Sequence, residues 1–206
     1  MRITLLLALW SAALSAAAPV QTNLFINGDN GYNNFRIPAL IVTQKGTLLA
    51  FCEGRAKDSD TGNVDVVFKR STDQGSNWSP LRVLADFGDD AIENATPVVD
   101  RSTGFIWLLL TSNPGNVDEE QMMEAKVPGT RTVWVTHSED DGVTWPRPVE
   151  ITRSTKLPSW TWYATGPGNG IQLRDGRMVI PCDHTDLGTK IKHSHAIYSD
   201  DHGKSW

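Results

Sequence analysis

One octapeptide pattern, Ser-x-Asp-x-Gly-x-x-Trp, occurs three times in the chain, at Ser71–Trp78, Ser138–Trp145 and Ser199–Trp206. The copies start 67 residues apart (138 − 71) and then 61 residues apart (199 − 138). A repeat at this spacing predicts a series of similar structural units. Its Ser and Asp side chains can bond nearby backbone groups, its Gly supplies a positive φ, and its Trp can anchor the turn on apolar neighbours. We therefore interpret Asp73, Asp140 and Asp201 as structural residues of tight turns.

The sequence around each octapeptide follows one order. A strand-like segment leads to a Gly turn, a second apolar strand, a variable loop, a third strand and the octapeptide, and in two units a fourth strand follows. The predicted strands include Trp78–Leu84, Pro97–Val99 and Gly170–Leu173. Four antiparallel strands per unit, repeated, are typical of a β-propeller blade. Residues 19–206 thus predict an all-β fold with two complete blades and three strands of a third. A single β-sandwich is the alternative, although it gives no reason for the repeat.

The first 18 residues have the pattern of a secretory signal peptide. Arg2 precedes the apolar run Ile3–Trp10, and Ala16–Ala18 offers a small-residue cleavage site before Pro19. The alternative is a buried N-terminal helix. No later segment approaches the roughly 20 apolar residues that a membrane span requires. We therefore expect a secreted, extracellular protein with no membrane span.

Composition excludes several classes of partner. The net charge of −5 and the pI of about 5.5 make nucleic acid and anionic membranes poor partners. The two cysteines, Cys52 and Cys182, are either two buried free thiols or one bridge. The histidines lack metal-ligand spacing, so we expect no metal and no cofactor. Asn77 and Asn94 each begin an N-glycosylation sequon that a proline follows.

Two arginines and two carboxylates are predicted at the ends of neighbouring strands. Arg36 lies in the motif Phe-Arg-Ile-Pro, Arg55 in Glu-Gly-Arg-Ala, and Asp58 and Asp60 in the loop that follows. Paired arginines suit an anionic substrate, because a guanidinium binds a carboxylate with both charge and geometry. A nearby Asp can donate a proton if burial raises its pKa. Taken alone, Arg36 could also be a surface charge at the start of a strand.

These two motifs, together with the three octapeptides, resemble the secreted exo-α-sialidases (neuraminidases) of bacteria and fungi. The resemblance covers essentially all of residues 19–206. It implies a six-bladed β-propeller, monomeric when full length, with its active site near the axis. It also implies a glycosidase that releases terminal sialic acids from glycans, with retention, through a covalent tyrosyl intermediate. The chain would then be an N-terminal fragment of about two and three-quarter blades.

The resemblance also implies roles for five residues. Arg36 matches the first of three arginines that bind the sialic acid carboxylate, and Arg55 matches an arginine near a ring hydroxyl. Asp60 fits the place of the acid/base aspartate better than Asp58, two residues earlier. Asn94 falls where the family has a sugar-contacting residue, although an ordinary glycosylated Asn fits the sequence equally well. Glu119, in the long loop of the second blade, resembles a sugar-contacting glutamate; the alternative is a solvated loop charge.

Other parts of the family's site have no counterpart in the chain. The nucleophilic Tyr, its partner Glu and two further carboxylate-binding arginines belong to later blades, and Tyr32, Tyr163 and Tyr198 do not match the nucleophile. We therefore expect this chain alone to be inactive. A non-catalytic binding module and a truncated gene product are the rival interpretations. The segment Trp160–Gly168 resembles the start of the third blade, where aromatic residues stack on sugar or cap the barrel.

Overall fold

The structure is a computed structural model that describes residues 21–126 and 131–206, so the predicted signal peptide lies outside the described residues. The strands are β1 (Asn34–Val42), β2 (Leu48–Arg55), β3 (Val64–Ser71), β4 (Arg82–Ala85), β5 (Ala91–Val99), β6 (Ile106–Asn113), β7 (Thr132–Ser138), β8 (Val149–Glu150), β9 (Trp160–Thr165), β10 (Ile171–Gln172), β11 (Met178–Asp186) and β12 (Lys192–Ser199). Two short helices, α1 (Glu119–Met123) and α2 (Thr152–Thr155), lie between strands, and a 3-10 turn at Asp29–Gly31 precedes β1.

The strands form blades in the predicted order. Strands β1 to β4 pair antiparallel in sequence order, and β5 to β8 repeat the arrangement. In the third blade β11 pairs with β9 and β10 on one side and with β12 on the other. The first two blades join through one parallel pair, Val64 with Ala91. The prediction of two complete blades and three strands of a third is confirmed.

The first strand of every blade is interrupted part-way along. The register of β1 shifts between Arg36 and Ala39, and that of β5 shifts between Glu93 and Thr96. In the third blade β9 and β10 are two separate segments on β11. Such irregularities bend a strand and re-aim its side chains. The interruptions place Arg36 and Asn94 together at one end of the blades.

The hydrophobic core lies between blades, in two clusters. The first packs Phe51 and Phe68 of the first blade against Ile92 and Leu108 of the second. The second cluster joins the second and third blades, and its fully buried members include Leu109, Tyr163, Met178 and Ile180. Fully burying one such side chain stabilises the fold by about 1.5–3 kcal/mol. The two clusters therefore cover the apolar faces at which neighbouring blades meet.

The three octapeptides form the same turn. In each, the Ser hydroxyl donates to the Asp Oδ1 at 2.8 Å and accepts the N–H of the Gly at 2.8–2.9 Å. The Asp also accepts the backbone N–H four residues later, at 2.8 Å for Asp73 and Asp140 and 2.9 Å for Asp201. Hydrogen bonds lower the pKa of both Asp140 and Asp201 to about 2. The side chain of Thr144 contributes most at Asp140, and that of Ser205 contributes most at Asp201. The contacts agree with a structural role for all three carboxylates.

The octapeptides also connect neighbouring blades. Asp141, from the second copy, accepts hydrogen bonds from Thr43 (2.5 Å), Thr47 (2.6 Å) and Arg70 (2.6 Å) of the first blade. In the third copy, His202 Nδ1 lies 2.9 Å from Oδ2 of Asp100 in the second blade. In the second and third copies the residue before the Gly therefore contacts the preceding blade.

Several strand boundaries differ from the prediction. Strand β4 starts at Arg82 rather than Trp78, β5 begins six residues before Pro97, and β9 was not among the predicted strands. The differences at β5 and β9 follow from the interruption in the first strand of each blade, which breaks the regular alternation. Trp78 belongs to the octapeptide turn instead of β4, and its Nε1 donates to the Gly75 carbonyl at 3.1 Å. Cys52 and Cys182 are buried free thiols. Within residues 21–126 and 131–206, we find no helix with the length and apolar character of a membrane span.

Candidate active site

Arg36, Arg55 and Asp60 converge, as the sequence predicts. Arg36 and Arg55 lie on one face of the β1–β2 ladder, because Asn34 pairs with Arg55 and Arg36 pairs with Glu53. Asp60 reaches this face from the loop after β2, and its Oδ1 accepts from Arg36 Nη1 at 2.6 Å and from Arg55 Nη1 at 2.5 Å. Two guanidinium groups thus meet at a single carboxylate oxygen.

The two arginines differ in burial and in support. The Arg55 side chain is only 3% exposed, whereas that of Arg36 is 48% exposed. Arg55 donates through Nε and Nη2 to Glu53 Oε2 at 3.0 and 2.6 Å, and through Nη1 to the Ser59 carbonyl at 2.9 Å. Asp60 is the ion-pair partner of Arg36 within 4 Å. Arg55 is therefore a fixed part of the site, and Arg36 presents its guanidinium to solvent.

Asp58 points elsewhere. Its Oδ1 accepts a hydrogen bond from Asn34 Nδ2 at 2.5 Å. Of the two loop carboxylates, it is Asp60 that contacts both Arg36 and Arg55.

The electrostatics of Asp60 differ from the expectation for a buried proton donor. Its side chain is 66% exposed, and the hydrogen bond from Arg55, followed by the positive charges of Arg55 and Arg36, lowers its pKa. In this arrangement Asp60 is an ionised carboxylate at neutral pH. A role as proton donor requires that its contact with the arginines change.

A buried carboxylate, Glu53, connects this cluster to the second blade. Its second oxygen, Oε1, accepts the backbone N–H of Asn94 at 2.9 Å. Asn94 lies at the β5 irregularity with a φ of 56°, a left-handed conformation that few residues other than glycine adopt. Burial raises the pKa of Glu53, the charge of Glu93 adds to this, and Arg55 opposes it. Glu53 thus holds both Arg55 and the strained backbone at Asn94.

Arg131 forms the second-blade side of the cluster. It pairs with the buried Glu93, and its Nη1 donates to Asn94 Oδ1 at 2.6 Å and to Thr111 Oγ1 at 2.7 Å. Its guanidinium carbon lies 3.9 Å from the centroid of the Trp162 ring, a cation–π contact. Glu93 is also 3.7 Å from Arg55 Nη2. Two buried carboxylates and two buried guanidiniums therefore alternate across the two blades.

Glu119 lies beyond Trp162, at the start of α1. It pairs with Lys192 at 3.2 Å. Trp162 Nε1 donates to Asp183 at 2.8 Å. Burial raises the pKa of Asp183, and the charge of Glu119 contributes to the same direction. Glu119 thus borders the Trp162 side of the cluster rather than the Arg36 side.

Three members of the cluster had no predicted role. Glu53 and Glu93 lie next to predicted residues in the sequence, and a charged residue in a buried strand is a signal, because such residues are almost never buried unpaired. Arg131 directly precedes β7, and no local motif marks it. Its position depends on contacts with residues 37 and 38 positions away, Asn94 and Glu93.

The three tyrosines contact groups other than Asp60. Tyr32 donates to Asp65 at 2.6 Å, Tyr163 is fully buried between the second and third blades, and Tyr198 stacks on Arg177 at 4.1 Å. Burial raises the pKa of Tyr32 and Tyr163. Over residues 21–126 and 131–206, no group of three or more His, Cys, Asp or Glu side chains has the arrangement of a metal site.

Comparison with known proteins identifies the family. The family model described as "BNR repeat-like domain" matches residues 46–206. The chain belongs to the BNR-repeat sialidase family. It is 36% identical over 169 residues to an exo-alpha-sialidase of Aspergillus fumigatus, covering 73% of this chain and 41% of that protein. It is 34% identical to a sialidase of Bacteroides fragilis, covering 87% of this chain and 35% of that protein.

Solved structures show the same relationship. Hadza microbial sialidase Hz136 is similar with a TM-score of 0.82 and 31% identity, over 88% of this chain and 38% of that one. A leech intramolecular trans-sialidase shares the fold, with a TM-score of 0.77 and 17% identity over 92% of this chain and 45% of its own. The chain spans less than half the length of each of these relatives. The fold is that of the sialidase β-propeller.

Proposed function

We propose that this chain supplies one part of the active site of a secreted exo-α-sialidase. Its substrate would be a glycan with a terminal sialic acid, an anionic sugar. The observation that carries the proposal is the convergence of Arg36 and Arg55 on Asp60 at the end of the first blade. A propeller that only binds proteins would not require two arginines, one of them 3% exposed, directed at a loop carboxylate.

Each residue has a role in this proposal. Arg36 binds the substrate carboxylate, since its half-exposed guanidinium is positioned for charge-assisted, bidentate hydrogen bonds. Arg55 contacts the sugar near a ring hydroxyl and orients Asp60. Asp60 protonates the glycosidic oxygen and then activates water. Asn94, at the border with Arg131, contacts the sugar ring, and Glu119 contacts the part of the sugar nearest Trp162.

The nucleophile would come from outside these residues. Sialidases use a Tyr where most glycosidases use a carboxylate. Tyr32, Tyr163 and Tyr198 are engaged elsewhere, so we propose that the reaction retains configuration through a tyrosine of a further blade, and that the chain alone is incomplete as an enzyme. Asn94 would remain unglycosylated, because its Oδ1 accepts hydrogen bonds from Thr111 and Arg131 inside the site.

Substitution of Asp60 tests the acid/base role. In the protein expressed from its full gene, Asp60→Ala should reduce turnover of natural sialosides far more than turnover of activated aryl sialosides. The reason is that protonation of the leaving oxygen matters only when that oxygen is a poor leaving group, and general acid catalysis contributes about 10²–10⁴-fold. The measurement is kcat/KM on both substrate types.

Asp58→Ala is the matched control, because Asp58 lies in the same loop but bonds Asn34. It should affect both substrate types equally and slightly. Equal losses for the two substrates in Asp60→Ala, or a leaving-group dependence in Asp58→Ala, would refute the assignment.

A further inference from the structure

Asp60 holds Nη1 of Arg36, one of the donors through which the guanidinium would bind a ligand carboxylate. The exposed Arg36 donates Nη1 to Asp60 at 2.6 Å, and the Asp60 carboxylate is the same chemical group as the one that the proposed substrate carries. A ligand carboxylate that binds Arg36 beside the ionised Asp60 would be repelled by its like charge. A ligand carboxylate and an ionised Asp60 therefore compete for Arg36.

The surroundings of Asp60 allow it to give way. It lies in residues 56–63, a loop closed at its base by the hydrogen bond from Ala56 N–H to the Asn63 carbonyl at 3.2 Å, and its side chain is 66% exposed. Arg55, by contrast, is held by Glu53 and is 3% exposed. Asp60 can leave Arg36 without any change in a strand, whereas Arg55 stays in place.

We propose that Asp60 blocks Arg36 in the resting site, and that binding of a substrate carboxylate displaces Asp60 and causes it to take up a proton from solvent. This inference rests on the proposed function and gives Asp60 a second role, as a competitor for the carboxylate site. The proton balance is simple: one carboxylate binds Arg36, and Asp60 changes from ionised to protonated. The protonated Asp60 is then the form that can donate to the leaving oxygen.

The charges around Asp60 determine whether ligand affinity rises or falls with pH. From β1 it faces Arg36, and from β2 it faces Arg55, behind which lie the carboxylates of Glu53 and Glu93. In the resting site the hydrogen bond from Arg55, with Arg36 contributing, lowers the pKa of Asp60. A bound carboxylate neutralises Arg36 and adds a negative charge nearby, so the pKa of Asp60 rises in the complex. Ligand affinity should therefore increase as the pH falls from neutral.

The test measures binding of the dehydro analogue of sialic acid to the protein expressed from its full gene, between about pH 5 and about pH 8, a range in which the ligand carboxylate stays ionised. We expect the wild type to bind more tightly as the pH falls and to take up protons, detected by calorimetry in buffers of different ionisation enthalpy. Asp60→Asn should bind about two- to fivefold more tightly at neutral pH, the order of a released surface ion pair, and should lose most of the pH dependence.

Two further variants make the outcome unambiguous. Asp60→Ala offers no amide donor to the ligand and should tighten binding in the same direction. Asp58→Asn removes an equal charge from the same loop without touching Arg36 and should leave affinity unchanged. Unchanged or weaker binding in both Asp60 variants, with the pH dependence intact, would overturn the inference. If instead Arg36→Lys binds the analogue as well as wild type does, the proposed function itself fails, which is a separate result.

Discussion

At the residue scale, the site depends on charges that never reach solvent. Glu53 and Glu93 are almost fully buried, and Arg55 and Arg131 balance them. Buried ion pairs add little net stability because their desolvation offsets their attraction, but removing one partner leaves a costly unpaired charge. Their value here is geometric, since Glu53 fixes both the Arg55 guanidinium and the left-handed backbone at Asn94.

A histidine pair in the third blade makes a pH-dependent contribution to stability. His195 Nδ1 lies 3.0 Å from His184 Nδ1, and His184 stacks on Trp160 with centroids 3.6 Å apart. Burial, with the charge of His184 contributing, lowers the pKa of His195 to about 4. The folded protein therefore prefers neutral His195, and the unfolded chain binds more protons once the pH falls below about 6.5.

We predict that the melting temperature falls as the pH is lowered from about 6.5 to about 4, and that His195→Phe flattens this dependence. The check is a series of thermal melts for the wild type and His195→Phe over this pH range. A slope in His195→Phe as steep as that of the wild type would show that other groups cause it.

At the element scale, the octapeptide turn joins blades as well as strands. Gly203 has a φ of 86°, and a Cβ built on it would lie 2.1 Å from Cε2 of Trp107 in the preceding blade. Gly142 packs in the same way on Leu49 of the first blade. The glycine of the pattern is thus required for its backbone conformation and for the close approach of the neighbouring blade.

We predict that Gly203→Ala destabilises the protein much more than Gly176→Ala. Both positions have positive φ, but no heavy atom lies within 4 Å of the Cβ position at Gly176. Gly176→Ala should therefore show the backbone strain alone, and Gly203→Ala should add an overpacking cost of about 1–3 kcal/mol. Urea unfolding of the two variants measures the difference. Equal free energies of unfolding would mean that Trp107 moves aside at no cost.

The sequence predicted those parts of the fold that depend on short-range, repeated contacts. The three octapeptides and the Gly turns predicted the blades, because each turn is built from hydrogen bonds within a few residues. The convergence of Arg36, Arg55 and Asp60 was also predictable, since all three belong to one blade. Arg131 was not, because its place depends on contacts between distant segments. Strand β9 was missed because the glycine-rich break after Thr165 separates it from β10, although both pair with β11.

At the scale of the whole molecule, the first and third blades carry exposed apolar side chains. Leu40 and Val42 of the first blade and Ile171, Ile191 and Tyr198 of the third are each more than half exposed. Between the blades, the equivalent faces form the two core clusters. Exposed apolar faces of this kind mark surfaces that pack against further structure. Such packing agrees with the proposal that further blades complete the site.

The central claim, that Arg36 binds a substrate carboxylate, is tested most directly by a paired measurement of affinity and stability in the protein expressed from its full gene. Arg36→Lys keeps the charge but loses the planar fork, so affinity for the dehydro analogue of sialic acid should fall by about 2–3 kcal/mol while the melting temperature stays unchanged. Asp140→Ala removes the turn hydrogen bonds from Ser138 and Thr144, so it should melt earlier and bind normally. If Arg36→Lys melts early and binds the analogue as wild type does, Arg36 is a structural arginine and the claim is wrong.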